Sequence, residues 1–500
     1  MPHAQVLRIV LGLLLAMFLA AIDQTIVSVA LVSIGRELHD FSLMPWVVAG
    51  YLVAATVATP IYGKLSDARG RRPLLLFAIG LHVAASVLCA LAQSMPQLVV
   101  FRILQGLGGG GLLSLVQAVV ADIAPGRQRG RYQGYLAGTF AVAAVAGPVL
   151  GGLLTHYISW RAVFWVNVPL GVAAFLLAHR TLRAVAFEPR PHRIDYAGAA
   201  LLAGMLSSLM VALTLLGQGQ ALFSTATLGL VGLGSLLLVV LVLQERQAPE
   251  PLLPPELFRN RVVVTCCAVL SLQFFVMIGS TVLLPMAMQS LGRADANVVA
   301  IRMLPLTLSI PLGAFTAGRV MYKTGRYRAS ALAGTAIAAI ATAGLAWLGT
   351  EAVYQTAALM TVFGVGLGLV MPPLLVAAQM AVPQSMIGVV TSTTALFRTL
   401  GGAVGIAVLT SILFAGVGAS ADSPTAIPAD SPKVASAASP ASPAAIKPVL
   451  DALTGAPPER LREAFGLVFW TISLIALVAL LMAATLPARR LREDGSLDPS

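Results

Sequence analysis

The chain has 500 residues, 58% of them hydrophobic and only 10% charged, with a mean hydropathy of +0.88. A soluble chain carries ~25% charged residues, so much of this surface must face lipid, which excludes a soluble enzyme, a nucleic-acid reader and a disordered scaffold. The net charge of +12 has to be located along the chain before it says anything about partners.

Runs long enough for a membrane helix, ~20 mainly apolar residues, recur fourteen times. The first six are predicted from Arg8 to Leu31, Pro45 to Leu65, Pro73 to Leu91, Gln97 to Ile123, Tyr132 to His156 and Arg161 to Leu182. Two more lie between Ile194 and Leu216 and between Ala221 and Leu243, and six further spans start near Arg261, Val298, Ala329, Tyr354, Met386 and Ala464. Arg8 ahead of an apolar stretch imitates a secretory signal, but the length of the run and its internal Asp23 predict an uncleaved helix. With the N terminus in the cytoplasm, 22 of the 32 Lys and Arg fall in inner segments and 7 in outer ones, the asymmetry of a positive-inside protein. Both termini are expected inside, and the basic charge reads as a topology signal with no nucleic-acid partner.

The remaining segments are read from composition. Cys89, Cys266 and Cys267 all sit in apolar runs and offer neither a disulfide framework nor a metal-ligand spacing. Residues 416–463 are dense in Ala, Ser and Pro and are expected to form a low-complexity external loop that packs no core. Residues 489–500 read as a cytoplasmic tail.

An internal repeat is visible. Gly63 to Leu74 reads GKLSDARGRRPL, and 255 residues later Gly318 to Ala329 reads GRVMYKTGRYRA, so that Gly63, Gly70 and Arg71 match Gly318, Gly325 and Arg326. Two related six-span bundles are predicted, residues 1–182 and 259–488, with two inserted spans in 183–258.

Charge inside a span is costly, ~2.5 to 3.5 kcal/mol on insertion scales, and marks a functional candidate. Asp23 is the carboxylate placed well inside a span, and Arg102, Arg302 and Arg398 are the bases, whereas Asp122 is placed at a helix end within reach of the cytoplasm. Counting ~1.5 Å per residue, Asp23 and Arg102 enter the outer third from opposite sides and are expected to pair. Such an Asp, pulled one way by desolvation and the other by an Arg, is a tunable proton carrier, and a helix-locking salt bridge is the structural alternative. In the fourth span Gly106, Gly108 and Gly111 satisfy GxGxxG, but no strand precedes them, so the glycines are read as packing. Gly147 and Gly151 in the fifth span lie one turn apart around Pro148, which should bend the helix.

Taken together these motifs resemble the major facilitator superfamily, and within it the fourteen-span drug:proton antiporters of the quaternary-ammonium and EmrB-like branch. GKLSDARGRRPL is similar to the loop that latches the two halves on the inner side, carried here by Gly63, Asp67, Gly70, Arg71 and Arg72. FRILQGLGGG resembles the fourth-helix motif whose Arg, here Arg102, is implicated in proton coupling. AGPVLGG resembles the antiporter motif of the fifth helix, at Gly147, Pro148, Gly151 and Gly152, and IDQTIVSVAL resembles the first-helix motif with Asp23 and Thr25. Ser28 and Val32 depart from the Asn and Pro of that motif, and Tyr322 replaces the Asp of the second-half loop.

The resemblance implies an all-α integral membrane protein of the bacterial inner membrane, two six-helix bundles plus two extra central helices. It would export lipophilic drugs or other toxic compounds against proton entry by alternating access, as a monomer, with no cofactor beyond the proton gradient. Asp23 and Arg102 would couple protons, and Gln24, Thr25, Gln105 and Arg398 would face the cavity. A periplasmic adaptor is a partner used by some relatives. A dedicated metabolite exporter of the same fold is the alternative. A membrane enzyme or sensor would need a nucleophile, a metal cluster or a soluble signalling domain, and the sequence displays none.

Overall fold

A computed structural model describes residues 3–40, 43–124, 128–184, 195–217, 224–249, 251–291, 296–349, 352–417 and 457–487. Its elements are helices, as a chain without water around its backbone requires, because each N–H and C=O must be satisfied within its own segment. The first set is α1 (His3–Glu37), α2 (Met44–Arg69), α3 (Arg71–Ala90), α4 (Met95–Ile123), α5 (Gln128–Tyr157), the one-turn α6 (Ala162–Trp165) and α7 (Asn167–Thr181). Next come α8 (Tyr196–Gly217), α9 (Thr225–Gln247) and the short α10 (Pro255–Arg259). The last set is α11 (Arg261–Ser290), α12 (Ala296–Arg302), α13 (Leu304–Thr324), α14 (Tyr327–Leu348), α15 (Val353–Met380), α16 (Ile387–Val417) and α17 (Pro458–Ala484).

Thirteen helices in the described residues are long and apolar enough to cross a membrane. The span expected from Val298 is not among them. The chain breaks at Met303, Pro305 opens α13, and Pro311, Arg319 and Lys323 lower its apolarity. Arg302, expected deep in a span, is therefore the last residue of the seven-residue α12. The proposed loop 416–463 is also narrower than composition suggested, since α16 runs through Val417 and α17 begins at Pro458. Residues 418–456 of that loop, and the tail 489–500, lie outside the described residues.

The helices pack as two groups. In the first, α4 lies against α2 and α3, and α1 against α5 and α7; in the second, α15 lies against α13 and α14, and α11 against α16 and α17. Each group has its own apolar core, one around Leu13, Ile79 and Leu115, the other around Leu283, Phe363 and Phe469. The groups meet along two seams, α2 with α16 and α5 with α13. The hairpin of α8 and α9 covers the first seam, where Leu202 and Leu206 of α8 join Val57 of α2 and Leu396 of α16. Leu233, Leu236 and Val239 of α9 are exposed, as expected of a helix whose outer face meets lipid. Exposed Tyr157, Trp165, Trp347 and Tyr354 gather at the opposite end from the α2–α3 turn, the arrangement of an interfacial aromatic belt.

The repeat read from the sequence has a backbone counterpart. Gly70, between α2 and α3, has φ of 98°, and Gly325, between α13 and α14, has φ of 68°. Both turns need a residue that tolerates the left-handed region, and Gly does so without a Cβ penalty.

Candidate functional site

Asp23 and Arg102 do pair. The small residues Ala16 and Ala20 bring α1 into the first bundle and deliver Asp23 to a site where it is 0% exposed. Arg102 of α4 donates through Nη1 to Asp23 Oδ2 at 2.7 Å, and Gln105 Nε2 and Asn167 Nδ2 both donate to Oδ1, at 2.9 and 2.7 Å. The carboxylate thus accepts from three side chains on two other helices. Arg102 spends its other N–H groups on the Val47 carbonyl of α2, at 3.0 Å, and on Gln105 Oε1, at 2.6 Å. Its guanidinium lies 4.3 Å from the centre of the Tyr51 ring, a cation–π contact in a dry site.

The network extends further than charge alone revealed. Asn167 Nδ2 also reaches Ser86 Oγ at 3.0 Å, and Ser86 donates to the Phe164 carbonyl. His82 Nδ1 is 3.3 Å from the Gln105 carbonyl, a contact that requires the proton on Nδ1. His82 Nε2, the Tyr51 hydroxyl and Asn167 Oδ1 are buried without a hydrogen-bond partner. Tyr51, His82, Ser86 and Asn167 were missed because a search for formal charge passes over neutral polar groups, although His82 and Asn167 both stand inside predicted spans. Gln105, expected at a cavity, is fully buried in this network instead.

The glycines of α4 make this closeness available. A Cβ at Gly108 would come within 2.7 Å of the His82 backbone nitrogen, and one at Gly106 or Gly110 would collide with the carbonyls of Tyr51 or Ala55. The GxGxxG glycines of α4 are a helix-packing surface.

A second ionic group joins the two bundles. Asp67, in the last turn of α2, accepts from the backbone N–H of Gly388 at 3.2 Å and of Val389 at 3.1 Å. These are first-turn amides of α16, where the helix dipole favours an anion. Arg71 braces the carboxylate at 2.5 Å, bonds Asp122 Oδ2 at 2.8 Å and donates to Ser66 Oγ. Asp122, placed by depth alone in reach of the cytoplasm, therefore belongs to this ionic group. Gly63 touches α16 directly, since a Cβ there would lie 2.7 Å from the Gly388 carbonyl. Arg72 points elsewhere, its Nη2 3.4 Å from His179 Nδ1. Among the described residues the related turn of the second bundle carries no such ionic group, and Tyr322 and Arg326 are exposed. Gly318 instead presses on the Gly130 backbone of α5.

The major facilitator superfamily profile matches residues 13–406, which takes in both the buried network and the Asp67 group. The chain belongs to the Major Facilitator Superfamily. It is 33% identical over 411 residues to the multidrug transporter protein MdtP of Bacillus subtilis, covering 82% of this chain and 76% of that one. It is 35% identical over 398 residues to an uncharacterized MFS-type transporter of Mycobacterium tuberculosis, covering 79% of this chain but 58% of that longer protein. The fold is shared with the proton:xylose symporter XylE, at a TM-score of 0.64 and 14% identity over 99% of this chain and 98% of that structure. This is a multi-pass membrane transporter.

In this facilitator the fifth-helix glycines face α1. The Thr25 hydroxyl donates to the Ala143 carbonyl of α5 at 3.0 Å, and Gly147 leaves no room beside that hydroxyl for a side chain. Gly151 meets the Ile26 carbonyl, while a Cβ at Gly152 would meet nothing within 4 Å. Pro148 stands inside a helix that continues to Tyr157. Gln24 and Thr25 are half-buried. Arg398 of α16 is half-buried too, 4.9 Å from the Phe274 ring centre and 3.8 Å from Met371 Sδ, with its Nε unpartnered. Among the described residues no carboxylate lies within ion-pair distance of it.

Proposed function

We propose that this transporter is a proton-coupled exporter of lipophilic toxic compounds in a bacterial inner membrane, of the fourteen-span drug:proton antiporter branch, with α13 as the fourteenth span and both termini cytoplasmic. In this reading residues 1–182 and 259–488 are the two moving bundles and 183–258 the inserted pair. The observation that carries it is a fully buried acid, Asp23, whose charge is matched to one buried base, Arg102. Adding a proton to Asp23 removes the anion and leaves the guanidinium uncompensated in a low-dielectric site. That is costly, so Arg102 must shift toward its other acceptors, Val47 and Gln105, and α1, α2 and α4 must shift with it. The side-chain-free contact of α4 with α2 gives those helices a surface on which to move. Protonation is thereby tied to helix arrangement inside the first bundle, and the Asp67 group ties that bundle to α16.

MdtP, by its name, handles multiple drugs, which supports a lipophilic substrate class here. The decisive experiment is efflux of a compound panel from cells expressing the protein, with and without a protonophore. Export that collapses with the protonophore supports the reading, and export that persists in de-energised cells overturns it.

A further inference from the structure

The two seams between the bundles are treated differently. The α2–α16 seam lies under α8, whereas no described helix covers the α5–α13 seam. There, α1, α5 and α13 line an open apolar groove of about 620 Å³, with Leu15 and Phe18 on one side, Gly138 and Val142 at the back and Leu312 and Phe315 opposite. In a membrane such a groove is filled by something apolar, and its end says what.

Each of the three helices carries an arginine just past its last groove residue, toward the end that holds Asp67. Arg8 precedes Leu11 on α1, Arg131 precedes Tyr135 by one turn on α5, and Arg319 follows Phe315 by one turn on α13. The levels agree: Gly130 meets Gly318, and Gly134 approaches Phe315. All three arginines are exposed. Arg131 is held in place by donating to the Tyr135 hydroxyl at 3.1 Å, which leaves the rest of its donor fork free to point outward. Among the described residues no carboxylate lies within ion-pair distance of Arg131 or Arg319. An apolar slot with exposed guanidinium groups at one end, Arg131 on α5 and Arg319 on α13, suits an alkyl chain joined to a phosphate.

We propose that the α5–α13 seam binds one anionic phospholipid, its acyl chain in the groove and its phosphate between Arg131 and Arg319. Because α1 and α5 belong to one bundle and α13 to the other, the lipid bridges the bundles and favours the state in which their Asp67 ends meet. This last step rests on the alternating-access reading; the binding itself does not.

The test uses the purified full chain in nanodiscs of phosphatidylcholine alone or mixed with phosphatidylglycerol of the same chains. Lipid retained after transfer to detergent is read by native mass spectrometry. Phosphatidylglycerol should be retained over phosphatidylcholine, and Arg131→Gln and Arg319→Gln should each weaken that preference roughly fivefold. Gly138→Leu should expel the chain whatever the headgroup, and it should fold, because a Cβ there meets nothing within 4 Å. Hydrogen exchange at the Gly388 and Val389 amides reports the bridged state, which phosphatidylglycerol should protect in the wild type but not in the arginine variants. Equal retention of both lipids, or retention indifferent to all three substitutions, overturns the site. Displacement by an exported compound with no headgroup preference would make the groove a substrate path and equally overturn it. The expected headgroup preference in a protein whose export persists in de-energised cells would count against the proton-coupled exporter and not against the lipid.

Discussion

Asp67 of the first bundle and Val389 of the second are joined by a hydrogen bond of 3.1 Å, carboxylate to helix-end amide, across a sequence separation of 322 residues. With the companion bond from Gly388, one acid caps a helix of the opposite bundle while Arg71, itself paired with Asp122, holds it from its own side. The bond exists only while the bundles meet at this end, so its strength is part of the equilibrium between conformations.

Removing that acid should therefore change how often the two ends meet and not what is recognised. Hydrogen bonds to charged groups contribute ~1.5–3 kcal/mol, so Asp67→Ala should lower the closed population by roughly tenfold or more. The check is efflux rate across a panel together with hydrogen exchange at Gly388 and Val389. A slower rate with an unaltered ranking of compounds and faster exchange is expected, and a reordered ranking at unchanged rate would contradict the assignment.

Asp23→Asn tests the coupling, and the geometry adds a cost that the sequence did not disclose. The carboxylate accepts from Arg102, Gln105 and Asn167, so an amide must turn an N–H against one of these donors and leave Arg102 unpaired. Breaking a buried pair by removing one partner costs ~3–5 kcal/mol, so abundance in the membrane should fall. Pairing Asp23→Asn with Arg102→Gln removes both charges and should recover abundance while transport loses its dependence on the proton gradient. Gradient-driven export by the double variant would take Asp23 out of the coupling role.

What could be read from the chain and what could not divide along physical lines. Asp23, Arg102 and Arg71 stood out because charge in or beside an apolar run is conspicuous one residue at a time, and the repeat stood out because Gly70 and Gly325 answer the same backbone demand. Partnership depends on the rotation of each helix about its axis, which no single span displays, so Tyr51, His82 and Asn167 stayed hidden, as did the bonds of Gln105 to Asp23 and Arg102. Depth placed Asp122 at a helix end, where it is still partly exposed, but could not show that it pairs with Arg71. The break at Met303 was invisible because a hydropathy window averages over Arg302 and Pro305.

At the opposite end of the first bundle Glu37 accepts from Trp160 Nε1 at 2.8 Å and pairs with Arg161. The Arg161 hydrogen bond holds the Glu37 carboxyl below its ordinary range, with Trp160 adding to it. A depressed pKa means that the folded form binds the proton less well, so the contribution is present above the unfolded pKa and lost as pH falls through the lowered one. Both side chains are substantially exposed, which limits the effect to under ~1 kcal/mol. Glu37→Gln should lower the melting temperature slightly at neutral pH and not at all once the wild-type acid is protonated. A gap that persists in acid would mean that packing, not charge, is at work.

Substrate charge follows from which deep ions are already satisfied. Asp23 is saturated by three donors and sealed from the bundle surface, so it offers no negative charge to a bound compound. Arg102 is balanced by it, Arg302 lies at the end of α12, and Arg398 is left with an aromatic ring and a thioether. A second positive centre on a substrate would enter a membrane interior whose one uncompensated ion, among the described residues, is also positive, and each such charge must be offset in a low dielectric. Neutral, monocationic or anionic lipophilic compounds should thus be exported in preference to bis-quaternary dications. Arg398→Gln should weaken export of a lipophilic anion while narrowing the gap between a monocation and its bis-cationic homologue, because the repelling charge is gone while a shorter hydrogen-bonding group remains. Side-by-side efflux of the three compounds in wild type and variant decides it: stronger export of the dication by the wild type, or a variant with the same ranking, would show that Arg398 does not set the charge preference.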